Sequence, residues 1–182
     1  MKKDKLDTPH TSIKHWDLYT TPHDAMTTEF EWAISRFQQA FERWVLQVAN
    51  SCGLGDLSFS EVVILHVVLM QDRPKTAAMI ARQLNRDDIP NLQYGLRKLV
   101  KINLLKRTSA SGKNQVYGAT SKGRKLAEKY AEIRHTFLTE ETKYIEGVDE
   151  RMNEAVRLIS MLTGQYDEAM RKAATYSISS EE

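Results

Sequence analysis

The sequence predicts a mainly α-helical protein that carries one small β-hairpin, and three observations lead there. Glycine and proline are scarce, eight and four in 182 residues, which disfavours a loop-rich or all-β chain. Apolar residues recur at helical spacing in one segment after another. One stretch instead reads as two short strands, LLKRT and QVYGA, around a Ser-Gly-Lys-Asn tip. The apolar and charged fractions, 41% and 27%, are those of an ordinary globular protein. The length suits one well-buried domain with a helical extension.

Residues 1–27 read as a polar arm docked through Trp16, Leu18 and Tyr19. Its His10, His15 and His23 lack the i, i+4 spacing of a helical metal pair, and neither a metal nor another cofactor is expected. Thr28-Glu29-Phe30-Glu31 has the form of a capping box. Behind it Phe30, Ala33, Phe37, Ala40, Phe41, Trp44, Val45 and Val48 mark a long helix stopped by Gly53. Ser58-Phe59-Ser60-Glu61 is a second box, opening VVILHVVLM, a helix apolar nearly all round and so central to the core. His66 within it reads as a hydrogen-bonded core histidine, and Arg73-Pro74 is expected to end the element.

Thr76 reads as the N-cap of a short helix with Ala77, Ile80, Ala81 and Leu84 on one face. Residues 85–88 form a turn, and Pro90 suits the first turn of the next helix, 89–102. There Leu92, Leu96, Leu99 and Val100 face inward, while Asn91, Gln93, Tyr94, Arg97, Lys98 and Lys101 point away. Gly95 in mid-helix implies the close approach of a neighbour, and Asn103 can supply a left-handed cap. The hairpin occupies 104–119, and Thr120 caps a helix with the stripe Leu126, Tyr130, Ile133 and Phe137. Finally Ile145, Val148, Met152, Ala155, Ile159, Leu162, Tyr166 and Ala169 follow an alternating 3, 4 spacing, the a/d pattern of a helix-on-helix seam. With Phe37, Phe41 and Trp44 on the first long helix, these residues are the expected homodimer interface.

A net charge of +2 conceals a strong asymmetry. From Ile89 to Ala127 there are nine Lys or Arg and no acid, leaving 17 bases against 24 acids elsewhere. A basic segment of that length points to a polyanionic partner. Two short helices joined by a tight turn, the second bearing amides and bases, make a helix-turn-helix, and a hairpin directly after it makes the winged form. Asn and Gln can pair with adenine and Arg with guanine in the major groove of double-stranded DNA. A basic hairpin can reach phosphates or the adjacent minor groove. Arg107, Lys113 and Asn114 are the hairpin candidates beside the six helix residues.

The runs IPNLQYGLRKLVKINLLKR and SGKNQVYGATSKGRKLAE resemble the winged-helix core of the MarR family of bacterial transcription regulators. The similarity lies in Leu99 to Arg107 and in Ala119-Thr120-Ser121-Lys122-Gly123, and spans roughly residues 58–135. It implies Asn91, Gln93 and Tyr94 toward the groove, Arg97 on phosphate and Lys113 at the wing tip. Asn103 stands where the family usually has glycine, and Ser111-Gly112-Lys113 replaces its acidic-basic pair. The resemblance also implies a possible small-molecule effector between dimer helices and DNA-binding lobe. Trp32, Phe37, Trp44 and His66 could line such a pocket, although core packing explains all four.

The expected architecture is thus an arm (1–27), a dimerisation helix (28–56), a winged helix-turn-helix domain (57–135) and C-terminal dimerisation helices with a tail (136–182). The expected function is a homodimeric transcription regulator, a repressor, on a pseudo-palindromic operator. The alternative is a winged-helix protein-interaction module that does not bind DNA. Enzyme motifs such as a phosphate-binding Gly-rich loop, HExxH or a nucleophile elbow do not occur. A single cysteine, Cys52, leaves no internal disulfide and reads as a small apolar group rather than a redox sensor. No secretory signal is apparent, and VVILHVVLM is far shorter than the ~20 residues that cross a bilayer. A cytoplasmic location and no membrane partner are expected.

Overall fold

The computed structural model describes residues 21–109 and 115–176. The arm before Thr21, the wing tip with Lys113 and Asn114, and the tail after Tyr176 lie outside the described residues, as does the side chain of Asp72. The elements run α1 (Pro22–Ser51), α2 (Phe59–Leu69), α3 (Ala77–Gln83), α4 (Ile89–Lys101), β1 (Leu105–Ser109), β2 (Gln115–Ala119), α5 (Ser121–Arg134), α6 (Glu140–Thr142) and α7 (Val148–Thr175). A π-type turn over His135–Thr139 links α5 to α6. The chain falls into two units that divide between Arg124 and Lys125.

Most helix starts follow the side-chain chemistry. Ser58 and Glu61 close a reciprocal capping box on α2, Ser58 Oγ accepting from Glu61 N and Glu61 Oε2 from Ser58 N. Thr76 caps α3 by accepting from Met79 N, and Thr120 Oγ1 accepts from Gly123 N at the start of α5. The first helix departs from expectation. It begins at Pro22, where Thr21 and Asp24 form the box and proline fills the first position. Thr28 is already inside the helix, donating its hydroxyl to the Asp24 carbonyl.

Helix α2 is the hub of the first unit, packing against α1, α3, α4 and β2. Val62, Ile64, Leu65, Val67 and Val68 are all buried, as its all-round apolar sequence requires. Of α1 only Val45, Val48 and Ala49 are buried, so its C-terminal end joins the core. Phe41, itself stacked on Phe37 with centroids 6.1 Å apart, meets Phe59 of α2 edge to face at 5.7 Å. The expected core role of the effector-lining candidates does not hold in the single chain. Trp32 and Phe37 are exposed, and Trp44 and His66 are half-buried.

The end of α2 also differs from expectation. The helix stops at Leu69, before Arg73-Pro74, and the chain turns through Met70–Asp72 with Gln71 in the left-handed region at φ 62°. The cause is Lys75, a residue that the sequence pattern does not single out. It is 1% exposed, and its Nζ donates to the carbonyls of Val68, Met70 and Arg73. A helix C-terminus leaves carbonyls unpaired and partially negative, so a buried ammonium there replaces the missing turn. Lys75 also pairs through its backbone with Tyr117, N to O at 2.9 Å and O to N at 2.8 Å. It thereby adds a one-residue third strand to the antiparallel hairpin, whose register runs from Leu105↔Ala119 to Ser109↔Gln115.

Two further expectations shift in the second unit. Ile145 lies in the turn before α7, because Gly147 at φ 64° breaks the chain there; the a/d pattern therefore starts in the helix at Val148. Along α5, Tyr130 is buried, whereas Phe137 is exposed in the π-type turn, where the changed winding takes it off the stripe.

Asn103 takes the left-handed cap at φ 61°, and the chain then passes directly under α5. A Cβ at Gly123 would stand 2.3 Å from the Leu104 carbonyl oxygen. Gly123→Ala must push α5 off this backbone, and we expect a loss of about 3 kcal/mol, measured as a fall in the urea midpoint at unchanged m-value.

Candidate nucleic-acid interface

The recognition-helix candidate α4 is amphipathic in the sense that the sequence implies. Leu92, Leu96 and Leu99 are fully buried, and Gly95 sits where a Cβ would lie 3.0 Å from Ile64 Cδ1 and 3.6 Å from Glu61 Cγ. Glycine therefore lets α4 approach α2 closely, as its place in mid-helix suggests. At 3.6 residues per turn, Tyr94, Arg97 and Lys101 fall on the arc opposite those leucines and Gln93 at its edge, and all four are exposed.

Asn91 and Lys98 lie on the other side of that arc, and Lys98 is half-buried. Lys98 Nζ donates at 2.8 Å to both Glu61 Oε2 and the Asp56 carbonyl, so its charge is engaged with the start of α2. Asn91 is exposed, with its Nδ2 3.4 Å from Asp88 Oδ2. Arg107 extends from β1 and bonds across the hairpin to Gln115 Oε1 at 3.3 Å. Lys122 donates to the Ile102 carbonyl at the C-terminal end of α4. Lys98 and Lys122 thus tie elements together, and every described base of the acid-free segment except Lys98 is exposed.

The turn before α4 is fixed by ion pairing. Asn85 is left-handed at φ 50°, and Arg86 forks onto Asp88 with Nε–Oδ1 2.7 Å and Nη2–Oδ2 2.5 Å. The Arg86 hydrogen bond holds the Asp88 carboxyl down to about 2, and Arg86 Nη1 also donates to Ser60 Oγ of α2. Sequence periodicity missed Glu61, Lys75, Arg86 and Asp88 as positioning groups. For Glu61 and Lys98 a signal existed in the N3 acid of a capping box and a lysine off the apolar stripe, but nothing local pairs residues 37 apart.

Burial pushes the Glu61 carboxyl up, but the hydrogen bonds from Lys98 and Ser58 outweigh it and hold the group below its ordinary 4.5. Its hydrogen bond to Glu61 raises Lys98 above its ordinary 10.5. A carboxyl depressed in the fold stabilises above its unfolded value and loses that contribution as pH falls through the folded one. The raised lysine contributes below its unfolded value and loses it as pH rises through the folded one. In Lys98→Met the burial of Glu61 persists without its principal opposing bond. We expect the acid-side loss of stability to move to higher pH, read from urea midpoints across pH 3–7, an interval of roughly this width about the carboxylate range.

Among the described residues no helix is long and apolar enough to cross a membrane, and no group of three or more His, Cys, Asp or Glu could hold a metal ion. Residues 57–123 match the family model for the winged helix DNA-binding domain. No curated protein matches the sequence. Among solved structures, the chain is similar to a MarR-family transcriptional regulator from Rhodococcus sp. RHA1, at 17% identity and TM-score 0.61 over 73% of this chain and 93% of the other. It is likewise similar to the transcriptional regulator BldR from Sulfolobus solfataricus, at 16% identity and TM-score 0.62 over 78% and 99%. CouR from Rhodococcus jostii RHA1, solved bound to p-coumaroyl-CoA, aligns at 19% identity and TM-score 0.55 over 71% and 90%. With residues 57–123 matching the winged helix DNA-binding domain, the chain has the winged helix fold of the solved MarR-family transcription regulators.

Proposed function

We propose that the protein is a sequence-specific transcription regulator that binds double-stranded DNA as a homodimer. In this reading α4 enters the major groove of each half of a pseudo-palindromic operator, and the hairpin meets the adjacent minor groove or its phosphates. Bound at a promoter, the dimer would act as a repressor. The observation that carries the reading is the outward arc of α4. Gln93, Tyr94, Arg97 and Lys101 are exposed together on a helix whose other face is anchored by three fully buried leucines. A rigid helix bearing an amide, an aromatic ring and two cations suits base edges and phosphates at once.

Gln93 is the principal base-reading candidate, with Tyr94 beside it and Asn91 at the helix start. Arg97, Lys101 and Arg107 would set register and affinity through phosphates, and Lys113 and Asn114 would extend the contact at the wing tip. Lys98 would act chiefly by holding α4 to Glu61. A small-molecule effector is a further part of the proposal, on the precedent of CouR and its coenzyme A ester.

The homodimer reading rests on the uncovered apolar faces of the long helices. In the single chain α7 buries no residue over its 28 positions, although Met152, Val156, Leu158, Ile159, Met161 and Tyr166 are apolar or aromatic and exposed. A face of that kind calls for a partner, and Val148 and Leu162 continue it. On α1, Phe37 and Phe41 offer a second exposed patch, with Trp44 half-buried beside them.

Fluorescence anisotropy on promoter duplexes at several salt concentrations tests the DNA reading. Arg97→Ala with Lys101→Ala should weaken binding on all sequences and reduce the slope of log K against log salt by about 1.8. An unchanged slope would count against α4 as the interface. For the dimer, Ile159→Glu with Leu162→Glu should give a monomer by sedimentation equilibrium, with helical circular dichroism retained and operator affinity lost.

A further inference from the structure

We propose that Lys75 is the positioning residue that sets where the hairpin presents Arg107, by tying strand β2 to the C-terminal end of α2. What Arg107 touches rests on the DNA-binding reading given above; the tie itself does not. The Lys75 main chain donates its N–H to the Tyr117 carbonyl and accepts from the Tyr117 N–H. Tyr117 is in turn the register partner of Arg107 on β1. Lys75, Tyr117 and Arg107 therefore form one row across the sheet, with β2 in the middle. Paired residues of antiparallel strands share a face, and this row runs from the core outward. Lys75 is 1% exposed and Tyr117 7%, whereas Arg107 is exposed.

The inner end of the row is fixed by the ammonium. Nζ donates to the Val68 carbonyl at 3.3 Å, to the Arg73 carbonyl at 3.4 Å, and to that of Met70. A charged group so deeply buried stays only where hydrogen bonds hold it. The main chain of residue 75 is thereby held against the end of α2. The neighbouring residue follows the same path, since a Cβ at Gly118 would stand 3.7 Å from Pro74 Cγ. Residues 74 and 75 thus both lie along β2. At the outer end, Arg107 bonds Gln115 Oε1 through Nη1, and an arginine fork carries further N–H donors for a phosphate oxygen. Such charge-assisted bonds form at about 2.7–2.9 Å, so a shift of about 1 Å in the row is enough to lose one.

The test uses the full chain, Lys75→Met, Arg107→Ala and the double variant, with circular dichroism on each. Duplex affinity is measured by anisotropy against salt. Arg107→Ala should lower the slope of log K against log salt by about 0.9. Lys75→Met should lower it by a similar amount, and adding Arg107→Ala should then remove little more. A stability defect alone scales affinity by the folded fraction and leaves the slope unchanged. A slope kept in Lys75→Met, or a full further loss in the double variant, overturns the proposal. So does an unchanged slope in Arg107→Ala, which removes Arg107 from the interface. Amide hydrogen exchange reads the tie without DNA and without a substitution. In the unsubstituted chain the amides of Lys75 and Tyr117 should exchange within about tenfold of Val68, because they open together with the end of α2. Faster exchange overturns the tie, whether or not Lys75→Met folds. If the chain binds no duplex at all, the regulator reading falls, and the exchange comparison alone decides the role of Lys75.

Discussion

The close packing of α4 on α2 is the constraint from which the rest of the first unit follows. It needs a helix without a side chain at position 95, where Ile64 and Glu61 of α2 come nearest. It also needs the three leucines 92, 96 and 99, all fully buried. The pair Lys98–Glu61, 2.8 Å apart with the carboxylate side mostly buried, fixes rotation about the axis of α4. Truncating Lys98 would leave the Glu61 carboxylate buried without its partner, a larger cost than the pair's net stabilisation. With the inner face fixed in this way, the outer arc of Tyr94, Arg97 and Lys101, with Gln93 at its edge, has one orientation. The exposed face of α4 is thus a consequence of how the core is packed.

What was legible in the sequence was mostly local. Capping boxes at Ser58 and caps at Thr76 and Thr120 involve partners three residues away, so composition alone reveals them. The apolar periods of α2 and α4 and the glycine at 95 were readable for the same reason. The true start of α1 was also present as Thr21, Pro22 and Asp24, but Thr28 and Glu31 offered a competing box closer to the aromatic stripe. The end of α2 was not readable. Proline at 74 predicts a boundary, but the helix stops five residues earlier, because the Lys75 ammonium captures the carbonyls of Val68 and Met70. A lysine is ordinarily placed on the surface, and only tertiary structure brings this one inside.

The same limit applies to the site. An acid-free run of nine bases marks a region suited to a polyanion, but it does not separate cations that face outward from those that brace the fold. Lys98 and Lys122 belong to the second kind, since each satisfies a carboxylate or carbonyl at the end of another helix. Charge patterning therefore marks a region without separating the roles of its individual bases.

The long helix α7 shows what periodicity can and cannot say about a partner. Its a/d positions, from Val148 through Met152, Ile159, Leu162 and Tyr166, imply a narrow seam of the two-helix kind. On the helical wheel Leu158 lies to one side of that seam and Val156 to the other, and both are exposed in the single chain. Together they widen the apolar arc to nearly half the circumference, more than one opposing helix covers. A homodimer built on this face must therefore bring at least two helices against α7, making a bundle rather than a two-stranded coil.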